Sequence, residues 1–311
     1  MTSLATPGQS GPTSIPLGAV LPQIELPPDS DVVRTFVTSI EEAGFSHLLA
    51  YDHVLGADAG TRPDWSGPYS STDPFLEVLS LLSWAAGLTT TLELVTGVLI
   101  LPQRQTALVA KQAATLDLLS SGRLRLGVGI GWNKVEYDGL NEEFGNRGRR
   151  MEEQIAVMRA LWEQPSISFE GQWHHIDNAG ILPLPRQRPL PIWIGGRAEP
   201  AVRRAEPAVR RAARIADGFF PNGGPSDDVR NQMRVLNDEL DRAGRDRATF
   251  GVEARISVAK GAPDHWRRDA ATWREMGVSH LSLVTMGGGF TTIEEHLDAL
   301  VRGRDAIAPE L

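Results

Sequence analysis

Apolar positions along the chain follow two rhythms in turn. The segment 17–23, LGAVLPQ, is a short apolar run ended by proline, and 29–45 then places Val32, Val33, Phe36, Ile40 and Ala43 at helical spacing behind an Asp/Ser start. A strand followed by an amphipathic helix is predicted, and the pair recurs. Apolar runs at 47–53, 92–101, 123–132, 191–196, 218–223, 250–259 and 280–287 read as further strands. Helical patterns at 75–87, 105–120, 147–163, across the segment after 197, and at 226–243, 265–276 and 291–306 lie between and after them.

Strands that are apolar throughout, each followed by a helix, predict a parallel sheet buried on both faces. Eight such units fit a (β/α)8 barrel better than an open doubly wound sheet, which more often has five or six strands. The segment 164–190, QPSISFEGQWHHIDNAGILPLPRQRPL, departs from the pattern: it alternates and contains four prolines. It predicts an antiparallel excursion over the barrel mouth. Residues 15–311 then form one barrel domain, and residues 1–14 read as a flexible N-terminal tail.

Composition narrows the function. The 311 residues are 41% hydrophobic and 23% charged, with a formal net charge of −8. The arginines are interleaved with acids, so neither nucleic acid nor an anionic membrane is an expected partner. There is no cysteine, which removes disulfides, thiolate ligands and thiol nucleophiles. No run approaches the roughly 18 apolar residues that a membrane helix needs, and the first sixteen residues lack a basic start and an apolar core. A cytoplasmic protein is expected.

In a (β/α)8 barrel, chemistry sits at the C-terminal ends of the strands. Tyr51-Asp52-His53 follows the second strand and offers either a general acid/base His53 beside a carboxylate, or a cap and an exposed ring. Gly97 inside an apolar run marks either a close ligand approach or tight packing. Gly127, Gly129 and Gly131 lack the acid a dinucleotide fold requires, and read instead as a small-residue floor for a flat ring. Gly195-Gly196-Arg197 before a helix has the parts of a phosphate site, or is a plain turn. Lys260 after the seventh strand would suit a Schiff-base aldolase if desolvated, and a solvated surface otherwise. No His-x-His occurs and no metal is expected.

Together these segments resemble the bacterial luciferase-like flavin and deazaflavin oxidoreductases, within them the coenzyme F420-dependent subfamily. The resemblance is carried by AYDHV (50–54), VTGVLILPQRQTALVAKQAATLDLLSSGRLRLGVGIGW (95–132), NRGRRMEEQIAVMRALW (146–162), SFEGQWHHID (168–177), PLPIWIGGR (189–197) and RRAARIADGFFPNG (210–223). It implies a (β/α)8 homodimer with the cofactor ring at the barrel mouth and a non-prolyl cis peptide at Gly97-Val98. It also implies Asp52 and His53 near the reacting C5/N5 edge, Glu136 as a recurrent acid, and Gly195, Gly196 and Arg197 beside the ribityl phosphate. The expected cofactor is F420, with FMN as the alternative. The expected partners are a small organic substrate and a separate F420 or flavin reductase. The resemblance implies hydride transfer at the deazaflavin C5. An FMNH2-dependent two-component monooxygenase and a non-catalytic cofactor-binding barrel stay open beside it. Arg197, Arg203, Arg204, Arg210 and Arg211 would give the anionic tail a basic rim, and Trp65, Tyr69 and Trp173 would wall the substrate.

One further feature stands out. Ala-Glu-Pro-Ala-Val-Arg-Arg occurs at 198–204 and again at 205–211. Seven residues turn a helix by about 700°, within about 20° of two full turns, so a duplicated heptad keeps one face inward. Proline costs about 3 kcal/mol inside a helix. The expectation is therefore a helix that starts at Pro207, with the first copy as surface loop.

Overall fold

The structure, a computed structural model, describes residues 14–197 and 206–311. The tail expected over 1–14 lies outside the described residues except for Thr13's neighbour Ser14, as does the first repeat copy with Arg203 and Arg204. The strands are β1 (Leu17–Val20), β2 (His47–Ala50), β3 (Glu93–Thr96), β4 (Leu99–Ile100), β5 (Leu124–Gly129), β6 (Ile167–Glu170), β7 (His175–Ala179), β8 (Ile192–Arg197), β9 (Gly218–Asn222), β10 (Gly251–Ser257) and β11 (His280–Val284). The helices are α1 (Ser30–Glu42), α2 (Val78–Leu88), α3 (Thr106–Leu119), α4 (Lys134–Gly139), α5 (Arg147–Glu163), α6 (Glu206–Ile215), α7 (Asp227–Arg242), α8 (Pro263–Glu275) and α9 (Ile293–Ile307).

Parallel pairing runs β3-β2-β1-β11-β10-β9-β8-β5, and β3 pairs with β5 to close the ring. The register at the closure is Leu94↔Leu124, and β4 continues along the same neighbour at Leu99↔Val128. Thus β3 and β4 are two parts of one barrel position, interrupted at Gly97-Val98, where the sequence predicts a single strand. The expected (β/α)8 barrel is what forms. Between strands and helices lies one large apolar core. Inside the barrel a second cluster stacks Val20, Leu49, Val95, Trp193 and Phe220, with Tyr51, Val98, Val284 and Met286 partly buried against it. Membrane-spanning helices are absent among the described residues.

The expected antiparallel excursion is present: β6 and β7 pair antiparallel, and the segment is held along the outer helices. Glu153 of α5 accepts the backbone N–H groups of Gln172, Trp173 and His174 at 2.8–2.9 Å. Asp117 of α3 accepts those of Arg186 and Gln187 at 2.6 and 2.9 Å, and Nε2 of the Gln187 side chain donates to the carbonyl of Leu124, at the start of β5. Two helix carboxylates therefore fasten the segment to α5 and α3, and Thr106 at the start of α3 meets the His174 ring at 2.5 Å. Trp173 accordingly lies against Arg149 of α5, with the guanidinium 5.8 Å from the ring centre.

The described part of α6 has Pro207 in its first turn and buries Val209, Ala212 and Ala213. The second repeat copy thus supplies a core-facing stripe, with proline where its missing N–H costs nothing.

Candidate active site

Strand β2 ends at Ala50 and the chain leaves it through Tyr51, Asp52 and His53. Asp52 turns inward and is 3% exposed. Its Oδ1 accepts from Arg104 Nη2 at 2.7 Å and its Oδ2 from the Ile100 amide at 2.9 Å, while Arg104 also reaches Glu77 at 2.9 Å. Burial pushes the Asp52 carboxyl up, and Arg104 and the Ile100 amide act against it. Asp52 thus ties the end of β2 to the segment after β4.

The carboxylate that meets the imidazole is a different one. His53 Nδ1 stands 3.6 Å from Glu136 Oε1, near enough to sense its charge but beyond hydrogen-bond length. The same oxygen accepts the Val54 and Leu55 amides at 2.5 and 3.1 Å, and Oε2 accepts from Gln103 Nε2 at 3.1 Å. Burial opposes ionisation of Glu136, which is 1% exposed, yet His53, the two amides and Gln103 together hold its carboxyl below the usual range. Glu136 sits on α4, a six-residue helix that hydropathy alone does not predict. Asn133 caps it, accepting from the Val135 amide at 3.1 Å and donating to the Leu55 carbonyl at 3.2 Å. The turn at 53–55 is therefore clamped to α4 twice.

Aromatic rings surround His53. Tyr69, Phe75 and Trp132 lie 4.8, 4.7 and 5.8 Å away between ring centres, and Trp65 packs on Trp132 at 5.6 Å. Two of the expected wall residues, Trp65 and Tyr69, stand here.

Glycines of two strands, Gly129 of β5 and Gly195 of β8, meet at Val98. A Cβ on Gly129 would come 2.5 Å from Val98 Cγ2, and one on Gly195 would come 2.9 Å from Val98 Cγ1. A Cβ on Gly97 would strike Leu49 at 2.2 Å. The space above Gly129 and Gly195 is thus filled by Val98, which becomes the floor of the mouth, and the Gly97-Val98 peptide bond is cis. Gly196 faces the other way. A Cβ there would press on Ala208 of α6 and on Phe219, so its lack of side chain serves helix packing. Arg197 ends β8, in register with Asn222. Arg211 reaches Glu152 at 2.8 Å and Arg210 reaches Glu239 at 3.3 Å, so these two arginines of the expected basic rim are engaged with acids of α5 and α7. No cluster of three or more metal-ligating side chains occurs among the described residues.

A model of the luciferase-like monooxygenase family matches residues 9–308. The chain belongs to this family. An uncharacterized protein of Mycobacterium tuberculosis is 33% identical over 210 residues, 66% of this chain and 70% of that one. An FMNH2-dependent dimethylsulfone monooxygenase of Pseudomonas fluorescens is 35% identical over 132 residues, 42% of this luciferase-like chain and 34% of that relative. Among solved structures, an F420-dependent secondary alcohol dehydrogenase with an F420–acetone adduct superposes with a TM-score of 0.72 at 18% identity, over 95% of this chain and 99% of that one.

Proposed function

We propose that this luciferase-like enzyme is an F420-dependent oxidoreductase acting on a small organic substrate, with His53 as its proton-handling residue. The observation that carries the reading is His53 held beside Glu136 within a ring of aromatic side chains at the barrel mouth. The floor suits a flat ring, because Gly129 and Gly195 lack the side chains that would displace Val98. Gly97, Val98, Gly129 and Gly195 would lie under such a ring, and the backbone at Gly195-Gly196 with Arg197 would take its phosphate. When bound, the deazaflavin supplies a hydride at C5.

The protein's share is placement and proton control. Glu136 points Nδ1 of His53 inward, and Nε2 makes no hydrogen bond among the described residues, so it is the atom that gives or takes the proton. Tyr69, Phe75 and Trp132 exclude water from one side of the ring. Asp52 acts as a positioning residue through Arg104 and Ile100. The protein is proposed to work as a homodimer supplied with reduced cofactor by a separate reductase.

An FMNH2-dependent monooxygenase is the second reading, favoured by the similarity to the dimethylsulfone enzyme. Titrating the purified protein with F420 and with FMN, followed by fluorescence quenching, separates the two. Tight FMNH2 binding with no response to F420 would overturn the first reading. A protein that binds either cofactor but turns over no substrate would leave the non-catalytic barrel.

A further inference from the structure

Away from His53, the mouth opens into a cavity of about 480 Å3 between the C-terminal ends of β9, β10 and β11 and the segment after β2. Its walls include Tyr51, Asn222, Arg255 and Lys260, with His265 and Asp269 toward one side. Arg255 extends from β10 and is fixed at both nitrogens: Nη1 donates to Tyr51 Oη at 3.0 Å and Nη2 to Asn222 Oδ1 at 3.1 Å. Both partners are neutral. Among the described residues, no carboxylate lies within ion-pair distance of Arg255, and the Lys260 ammonium meets neither a carboxylate nor a hydrogen-bond acceptor. Most arginines here are otherwise engaged: Arg104, Arg125, Arg150, Arg159 and Arg211 each hold an acid. The one carboxylate in the cavity wall, Asp269, faces His265 at 3.7 Å. Two cations without an ion-pair contact among the described residues therefore share one concave space, and one of them is pre-oriented by hydrogen bonds to Tyr51 and Asn222.

We infer that this cavity binds an oxyanion group, carboxylate or phosphate, of the small molecule that occupies the barrel mouth. A fixed guanidinium presents paired donors to such a group, and a flexible ammonium adds a point charge. The inference rests on the proposed function only in taking the mouth as the substrate and cofactor site. Through Tyr51 the cavity borders the same post-β2 segment that carries His53. Lys260 is exposed, which removes the desolvated Schiff-base lysine considered from the sequence and leaves it this ionic role.

The test is calorimetric titration of the full chain with inorganic phosphate against chloride at constant ionic strength, on the wild type, Lys260→Met, Lys260→Arg, Arg255→Gln and Arg255→Lys. Saturable binding is expected in the wild type, weakened at least about fivefold in Lys260→Met and Arg255→Gln and largely kept in the charge-conserving pair. Equal binding by all five proteins, or no saturable binding, overturns the inference. FMN and riboflavin, which differ by the phosphate, identify the source. If Lys260→Met and Arg255→Gln weaken FMN but not riboflavin, the oxyanion is the cofactor's phosphate, and if they weaken neither, it belongs to the substrate. Phosphate binding without binding of FMN or F420 would refute the proposed function and leave the oxyanion site standing.

Discussion

His53 Nδ1 faces Glu136 Oε1 at 3.6 Å, and that one oxygen also receives the amides of the next two residues, Val54 and Leu55. Ring orientation and turn geometry thus depend on one carboxylate, which is buried and ionised. If His53 handles the proton, His53→Ala should lower kcat by about 10²- to 10⁴-fold on whatever substrate the wild type turns over. Cofactor affinity in the same variant should stay within about threefold, because the ring contributes to chemistry rather than to uniform binding. Glu136→Gln keeps an oxygen for the Val54 and Leu55 amides but loses the charge beside His53, so its expected signature is a lowered kcat with the turn intact. Full turnover by His53→Ala would remove the histidine from the mechanism.

The Val98 floor yields a second expectation. A methyl group placed on Gly129 would meet Val98 Cγ2 at 2.5 Å, closer than real Cβ contacts come. Gly129→Ala should therefore destabilise the barrel by about 1–3 kcal/mol through overpacking. Adding Val98→Ala should return much of that loss, which a double-mutant cycle in urea would read as a coupling between the two positions. Additive effects would mean that the two side chains do not compete for the same space.

The barrel was legible because each strand is a closed apolar run, and each helix from α1 to α9, apart from α4, is long enough to show a face. What was not legible depended on contacts distant in sequence. Asp52 and His53 are neighbours in the chain, yet Asp52 turns to Arg104 and His53 to Glu136. Glu136 belongs to a six-residue helix whose buried acid looks like any polar residue in a short loop. Glu153 and Asp117 read as ordinary helix acids, and nothing local reveals that they accept the amides that fasten the 164–190 segment to α5 and α3. The glycines at 97, 129 and 195 were visible as exceptions within apolar runs, but only packing shows that two of them make room for Val98.

Stability should fall on acidification in two stages. Burial, then the Arg125 guanidinium, push His280 down to about 4. Between that value and the ordinary imidazole value of about 6.5, the unfolded chain binds a proton that the folded chain refuses, so stability drops as pH falls through this window. His296, also pushed down by burial, adds in the same direction. His280→Gln should flatten the slope between pH 6.5 and 4 and leave the His296 part. The second stage belongs to Glu253. Burial opposes its ionisation, but Arg125, His47 and Ser282 outweigh this and hold it far below the usual carboxylate range. Its stabilisation is present above the unfolded carboxyl value of about 4.3 and is lost as pH falls toward the folded value. Glu253→Gln removes one of the two carboxylates that hold the buried Arg125, with Glu93 kept at 2.8 Å, and should cost about 1–3 kcal/mol at neutral pH. Urea midpoints from pH 7 to pH 4 check the first stage and midpoints from pH 4 downward check the second, and a flat profile across either range would contradict that stage.

The duplicated heptad can be removed without changing which residues follow the strand. Deleting 198–204 joins Arg197 to a second copy of the same seven letters, so the sequence entering α6 is conserved. That second copy already supplies the buried Val209 and the Arg211–Glu152 ion pair to α5. A loss of seven residues also preserves helical phase to within about 20°, so any helical turns would keep their inward face. The shortened chain should therefore fold with a thermal midpoint at or above that of the full chain, since a shorter connection costs less to close. If the Gly195-Gly196-Arg197 segment anchors the cofactor phosphate, binding in the deletion variant should be equal or tighter by fluorescence titration. Weaker binding with an unchanged midpoint would mean that the first copy has become part of the cofactor site.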